Sequence, residues 1–247
     1  MQLPGQTVPT HLDAPYFWGA SRFQFPQWLL VCMVFSGLFQ DKFIDQVQVV
    51  AYFHEWEATE ERAGSFKHWA RDLGYPEVSS ANARAGSAVD GSKVVHAGDV
   101  YMLGQRPPRL DKSAKNALVY QGDDSSESWL LESNNVTKGT YTTDDLRWTV
   151  VYRARCFASE GEAARYHAGL PDDEMITLES VLDTLHADLV TKGVLQSGDA
   201  PDRLELALLL LDTYIKYPLP PDAVLPLNPC AAAAALPWLE PILAPFC

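Results

Sequence analysis

Between Trp28 and Phe157 the apolar positions fall in short runs separated by clusters of Gly, Asp, Asn and Pro. They are WLLVCMVF from Trp28, VQVVAYF from Val47, SKVVHAGDVYML from Ser92, ALVYQG from Ala117, SWLLES from Ser128 and LRWTVVYRARCF from Leu146. Richness in β-branched and aromatic residues, bounded by turn formers, predicts strands. Their spacing suits a sandwich or jelly roll. The longest apolar stretch, Trp28 to Phe39, falls short of the roughly 20 residues a membrane span needs, so it is predicted to be a buried strand. Alternation across Lys93 to Tyr101 is imperfect and leaves open which face each residue takes.

From Ser159 the period changes. LESVLDTLHADLV sets Leu178, Val181, Leu182, Leu185 and Leu189 on one helical stripe, and RLELALLLLDTYIKY repeats the signal. Asp202 stands where a helix cap belongs, and Pro218 marks the end of the second helix. The expected architecture is mainly β with α: a jelly-roll domain over residues 1–158 and a helical C-terminal extension over 159–247. No repeat occurs, and low complexity is confined to the alanine run 231–235.

Composition narrows the class. A hydrophobic fraction of 47% with 11% aromatics is that of a globular chain rather than a disordered one. A formal charge of −13, with no basic run to offset it, disfavours phosphate backbones and anionic membrane surfaces, so neither nucleic acid nor membrane is an expected partner. The partner expected is a small-molecule or peptide substrate. Cys32, Cys156, Cys230 and Cys247 are far apart and form no C-x-x-C pair, which reads as free thiols in a reducing compartment. With no basic cluster or apolar h-region in Met1 to Thr10, the expected location is cytoplasmic. The alanine-rich tail is interrupted by Pro237, Pro241 and Pro245, which would break a spanning helix.

Chemistry concentrates in three places: His11-Leu12-Asp13, the segment Asp90-Gly91-Ser92-Lys93-Val94-Val95-His96, and Arg147-Trp148-Thr149. Two imidazoles and one carboxylate, two of them one residue apart, are the donors of a facial triad that leaves half of an iron's coordination sphere open. His11 and Asp13 share a face if they lie at a strand end, and His96 would arrive from another strand. A rival set, His54-Glu55-Trp56-Glu57 with His68, lacks an H-E-x-x-H partner and is read as solvated loop residues beside a substrate entrance, with Trp56 and Trp69 packing on the sheet. Neither a G-x-S-x-G elbow nor a glycine-rich phosphate loop is present.

Taken in order, these residues resemble the Fe(II)/2-oxoglutarate-dependent oxygenases, whose pattern is H-x-D/E, a distant His, then an Arg followed two positions later by Ser or Thr. The resemblance runs from about His11 to Phe157. It implies a double-stranded β-helix, with Fe(II) held by His11, Asp13 and His96 and 2-oxoglutarate held by Arg147 and Thr149. It also implies decarboxylation of 2-oxoglutarate to succinate coupled to hydroxylation of a substrate. The far carboxylate of 2-oxoglutarate suits the planar fork of an arginine. Arg106, ten positions after His96, is the alternate, but it precedes Pro107-Pro108 and looks like loop. Arg153 and Arg155 share the strand face of Arg147 and are read as exposed strand arginines. Ten residues precede His11 where the family places further strands and helices, so a sheet shortened on that side is expected. Two other classes stay open. One is a non-catalytic β-sandwich binding or scaffold protein with a vestigial metal site. The other is a cupin-like metalloenzyme, suggested by the residues from His96 to Tyr101 but lacking that group's paired H-x-H.

Overall fold

The computed structural model describes residues 1–20, 22–70, 75–122 and 127–217. Cys230, Cys247, the alanine run, its prolines and Pro218 lie outside the described residues. The molecule is mixed α/β, with every paired strand antiparallel to its neighbour. One sheet has the order β1 (Val8–His11), β8 (Val95–Gly98), β5 (Phe66–Trp69), β6 (Glu77–Ser79). A second has the order β12 (Thr149–Arg155), β4 (Gln46–Tyr52), β7 (Gly86–Val89). A third unit joins β9 (Asn116–Tyr120), β10 (Trp129–Ser133) and β11 (Val136–Tyr141), and a short ribbon pairs β2 (Tyr16–Phe17) with β3 (Phe43–Ile44).

Local chemistry accounts for the less obvious elements. The β10–β11 connection is Asn134-Asn135, both at positive φ (50° and 61°), as a two-residue I′ hairpin turn requires. Leu3, Leu131 and Leu146 form a small core beneath this hairpin unit, flanked by Trp129, Tyr141 and Trp148.

The run read from sequence as a buried strand is a helix, α1 (Gln27–Ser36). Its ten residues exceed the usual length of a buried strand, and periodicity cannot distinguish the two states when every face is apolar. Leu29 through Val34 are all buried because α1 is covered on two sides. Val31 packs with Leu12, Trp69 and Val95 behind the first sheet. Leu29, Leu30 and Met33 pack with Val181, Leu185, Leu189, Leu210 and Tyr214. Gly37, left-handed at φ 73°, closes the helix.

The C-terminal part is helical as the pattern predicts, with α2 (Glu160–Ala168), α3 (Leu178–Thr191) and α4 (Arg203–Tyr214). Val181, Leu185 and Leu189 are the buried stripe of α3, and the Asp202 carboxylate accepts from the backbone N–H groups of Leu204 and Glu205, both at 2.9 Å. α3 and α4 share their core with α1, so the border at residue 158 is spanned by one continuous apolar cluster, while α2 buries no residue. Among the described residues no helix is long and apolar enough to cross a membrane.

Because that cluster joins both halves, Leu185→Ala should cost about 2–5 kcal/mol and lower the stability of sheets and helices together. Urea unfolding followed by tryptophan fluorescence and by far-ultraviolet circular dichroism should give one coincident, shifted transition. Two separated transitions would show that the helices unfold on their own.

Candidate metal centre

β1 and β8 are antiparallel neighbours in which His11 stands directly opposite His96. Directly opposed residues project to the same face, and Asp13, two positions beyond His11, follows it there. The three side chains converge: one ligand atom from each lies within 4.8 Å of the others. His11 Nε2 is 3.8 Å from Asp13 Oδ1, His96 Nε2 is 3.7 Å from Asp13 Oδ2, and the imidazole centroids are 4.3 Å apart. Leu12, between them, turns the other way into the core against α1. No other group of three His, Cys, Asp or Glu residues among the described residues converges in this way.

The ring tautomers follow from the backbone. His11 Nδ1 lies 2.7 Å from the Pro9 carbonyl and His96 Nδ1 lies 2.9 Å from that of Val94. A carbonyl only accepts, so each Nδ1 carries a proton, which in the neutral ring leaves the Nε2 lone pair directed toward Asp13. Burial lowers the pKa of His96 and keeps its ring neutral.

Asp13 is buried. Its backbone N–H donates to the Gly91 carbonyl at 2.8 Å, and its Oδ1 accepts from Arg153, which also donates to Gln48. Oδ2 is buried without a hydrogen-bond partner. A carboxylate with one unpartnered oxygen, set between two imidazoles, is a donor set suited to a divalent transition metal.

The turn before β8 makes room for this. Asp90 accepts from the Ser92 backbone N–H at 3.0 Å and from the Gln46 backbone N–H at 3.2 Å, which fixes the loop against β4. A Cβ on Gly91 would overlap Asp13 Oδ2 and come within 2.9 Å of His96 Cε1.

Arg147 and Thr149 are brought together elsewhere on the β12 strand line. Arg147 is buried, with its guanidinium carbon 4.8 Å from the centre of the Tyr52 ring. Arg147 Nε and Nη1, Tyr52 OH, Tyr101 OH and Thr149 Oγ1 are buried and make no hydrogen bond of good geometry, while Tyr52 lies within polar reach of the Arg147 guanidinium and Tyr101 within that of Arg62. Burial depresses the Arg147 pKa and raises that of Tyr101, yet an arginine remains cationic in a protein. Gly64 admits the guanidinium, since a Cβ there would stand 2.7 Å from Nη1. The result is a close-packed, buried cluster of polar groups around one cation. Arg153 and Thr149 are four positions apart on one strand face, about 13 Å. Arg106 is exposed, in the loop 103–109.

Two sequence readings need correction. His54 is buried rather than solvated: its ring stacks 3.6 Å from Trp56, and its Nε2 lies 2.8 Å from the Ala81 carbonyl. Glu55 and Glu57 are exposed as expected. Arg153, read as a solvent-facing strand arginine, is half-exposed but ion-paired to Asp13. His68 stands opposite both His96 and Glu77 in its sheet, and its Nε2 is 3.3 Å from Glu77 Oε2. It extends the histidine row without joining the converging group. Beside it, Phe66, His68 and Ser79 of one sheet and Gly86–Val89 of the other enclose a cavity of about 300 Å³.

Tyr52, Tyr101, Gly64 and Gly91 were not singled out in the sequence as binding residues. The only signal for Gly91 was its position in the turn before β8. Comparison with known proteins gives no family model, no curated protein and no solved structure that matches this chain.

Gly91→Ala should leave the fold intact and abolish divalent-metal binding, because the new methyl group occupies the space of Asp13 Oδ2. Calorimetric titration with Fe(II) or Mn(II) beside a circular-dichroism spectrum checks both halves. Unchanged affinity would mean that the loop relaxes away from the site.

Acid sensitivity follows from His54, whose pKa is lowered chiefly by burial. Below the ordinary value near 6.5 the unfolded chain takes up a proton that the folded chain refuses, so stability present above that pH is lost as pH falls through it. Urea midpoints should decline between about pH 7 and pH 5, and His54→Phe should flatten the decline.

Proposed function

We propose that the chain is an Fe(II)- and 2-oxoglutarate-dependent oxygenase built on a jelly roll. The observation that carries this reading is the convergence of His11, Asp13 and His96, with two imidazole lone pairs and one unpartnered carboxylate oxygen turned toward one another. The sheet orders support it. From β4 to β8 the chain moves repeatedly between the first and second sheets, and β12 returns to pair with β4, the centre strand of the second. Two antiparallel sheets wound in this manner suit a double-stranded helix.

Iron bound by three residues would keep three positions for the keto acid and oxygen and would supply the oxidising chemistry. The chain's own residues do the rest. His11 and His96 offer neutral Nε2 atoms, and their Nδ1 hydrogen bonds hold the rings at the required angle. Arg153 fixes Asp13 through Oδ1 and leaves Oδ2 for the metal. Arg147, Thr149, Tyr52 and Tyr101 receive the far carboxylate of 2-oxoglutarate, because the guanidinium fork pairs with both of its oxygens while the hydroxyl groups satisfy the remaining lone pairs. Phe66 and the walls of the 300 Å³ cavity limit water beside His96 and leave space for substrate.

A second reading rests on one specific observation. The ion pair between Arg153 and Asp13 neutralises the carboxylate without any metal, as a scaffold with a vestigial site would require.

Anaerobic Fe(II) titration separates the two. The wild type should bind saturably, and the doubly substituted Asp13→Ala, His96→Ala chain should not. Aerobic incubation with Fe(II), ascorbate and 2-oxoglutarate should yield succinate above the Asp13→Ala control. Arg147→Lys should keep iron but require roughly tenfold or more 2-oxoglutarate, since a point charge cannot reproduce a bidentate pair. Iron binding without succinate would reject the oxygenase reading, and absence of both favours the scaffold. Loss of 2-oxoglutarate binding in Arg106→Ala but not in Arg147→Lys would move the co-substrate site to the loop.

A further inference from the structure

The largest cavity among those described, about 750 Å³, is not the metal centre. It opens to solvent where the end of β11, the short turn at Thr143–Asp145 and the segment after β4 meet. Three aromatic side chains, Phe53, Trp129 and Trp148, and three acidic ones, Glu55, Glu127 and Asp144, line it. Trp148 precedes Arg153 by five strand positions, so this cavity and the metal centre are roughly 16 Å apart along β12.

The charge in the cavity is left largely unbalanced. No lysine or arginine is among its lining residues. Glu55 meets Arg84 at 3.4 Å with both side chains exposed, a pair too solvated to neutralise the site. Nearby Arg62 gives a hydrogen bond to the backbone carbonyl of Asp144 rather than to its carboxylate, and its guanidinium carbon lies 4.9 Å from the centre of the Trp56 ring. The lining thus carries three acids, no lysine or arginine, and His54, whose buried Nδ1 has no hydrogen-bond partner, and two walls are indoles whose centroids are 5.0 Å apart at 56°. Trp129 is fixed by its Nε1 hydrogen bond to Thr143 Oγ1 at 3.0 Å.

Which cation would fit is decided by geometry. A hard metal ion needs its carboxylates to converge, and these acids belong to no converging group. Dispersed carboxylates over aromatic faces suit an organic cation, whose charge is satisfied by ring quadrupoles and surrounding acids. The volume exceeds what one ammonium group fills and lies within the range of ligand sites. We infer that this cavity is a docking site for a lysine- or arginine-containing peptide segment, with a basic side chain against Trp129 and Trp148 and the acids around it.

The test uses the full chain without metal. A short lysine–glycine peptide, its glutamine–glycine counterpart and free butylammonium are titrated by calorimetry at low and high salt. The lysine peptide should bind saturably and more weakly as salt rises, and the glutamine peptide should not bind. Replacing Glu55→Gln, Glu127→Gln and Asp144→Asn together should weaken the lysine peptide roughly tenfold or more. Asp172→Asn, Asp173→Asn and Glu179→Gln, the same change of charge on exposed acids elsewhere, should leave it unchanged. Equal loss in both triple variants would reduce the effect to net charge and overturn the site. Absence of saturable binding would also overturn it, and butylammonium binding as tightly as the peptide would overturn the peptide assignment.

Discussion

A charged carboxylate taken out of water must be matched, and the burial of Asp13 is the constraint around which this end of the molecule is organised. Arg153 supplies the opposite charge, Gly91 supplies the backbone acceptor that seats the residue, and Gln48 holds the arginine in place. Each contribution comes from a different strand or loop, so the second sheet, the turn before β8 and the end of β1 are mutually fixed through one side chain. The unmatched Oδ2 is what remains after this accounting. It lies 3.7 Å from His96 Nε2 and is closed off from water.

The cluster around Arg147 repeats the theme with the opposite sign. Buried polar groups without partners cost about 1–3 kcal/mol each, against a net stability of about 5–15 kcal/mol for an ordinary domain. Here the guanidinium and the phenols lie beside one another, so part of that cost is met within the cluster. A ligand that satisfied them would return stability on binding, in proportion to the logarithm of its concentration over its dissociation constant. The carboxylate-centred site and the arginine-centred cluster lie at different points along one strand line.

The three converging residues were legible because their signal is chemical: a histidine and an aspartate two apart, and a histidine following an Asp-Gly turn, keep their character whatever surrounds them. The α3 and α4 helices were legible because one side of each meets solvent and leaves a periodic stripe. α1 was misread because it meets protein all round, which erases the period, although Pro26 and Gly37 bracket it. β1, β5, β6 and β7 are three or four residues long and carry Lys, His, Ser and Gly, so pairing rather than propensity makes them strands. The role of Arg153 was not visible for another reason. It depends on which residue of a partner loop lies across from it, and Asp13 is 140 positions away. Tyr52 and Tyr101 likewise gain meaning only when a distant arginine is placed between them.

The position of α1 between a sheet and two helices has a consequence for the order of assembly. Its neighbours on one side, Leu12, Trp69 and Val95, are made early or soon after it, but Leu185 and Leu210 follow about 150 to 180 residues later. Closing so long a loop is entropically costly and slows folding. During synthesis the sheet that carries His11 and His96 therefore emerges with an oily helix still bare on its far side. Until α3 and α4 leave the ribosome, that surface is a natural client for a chaperone.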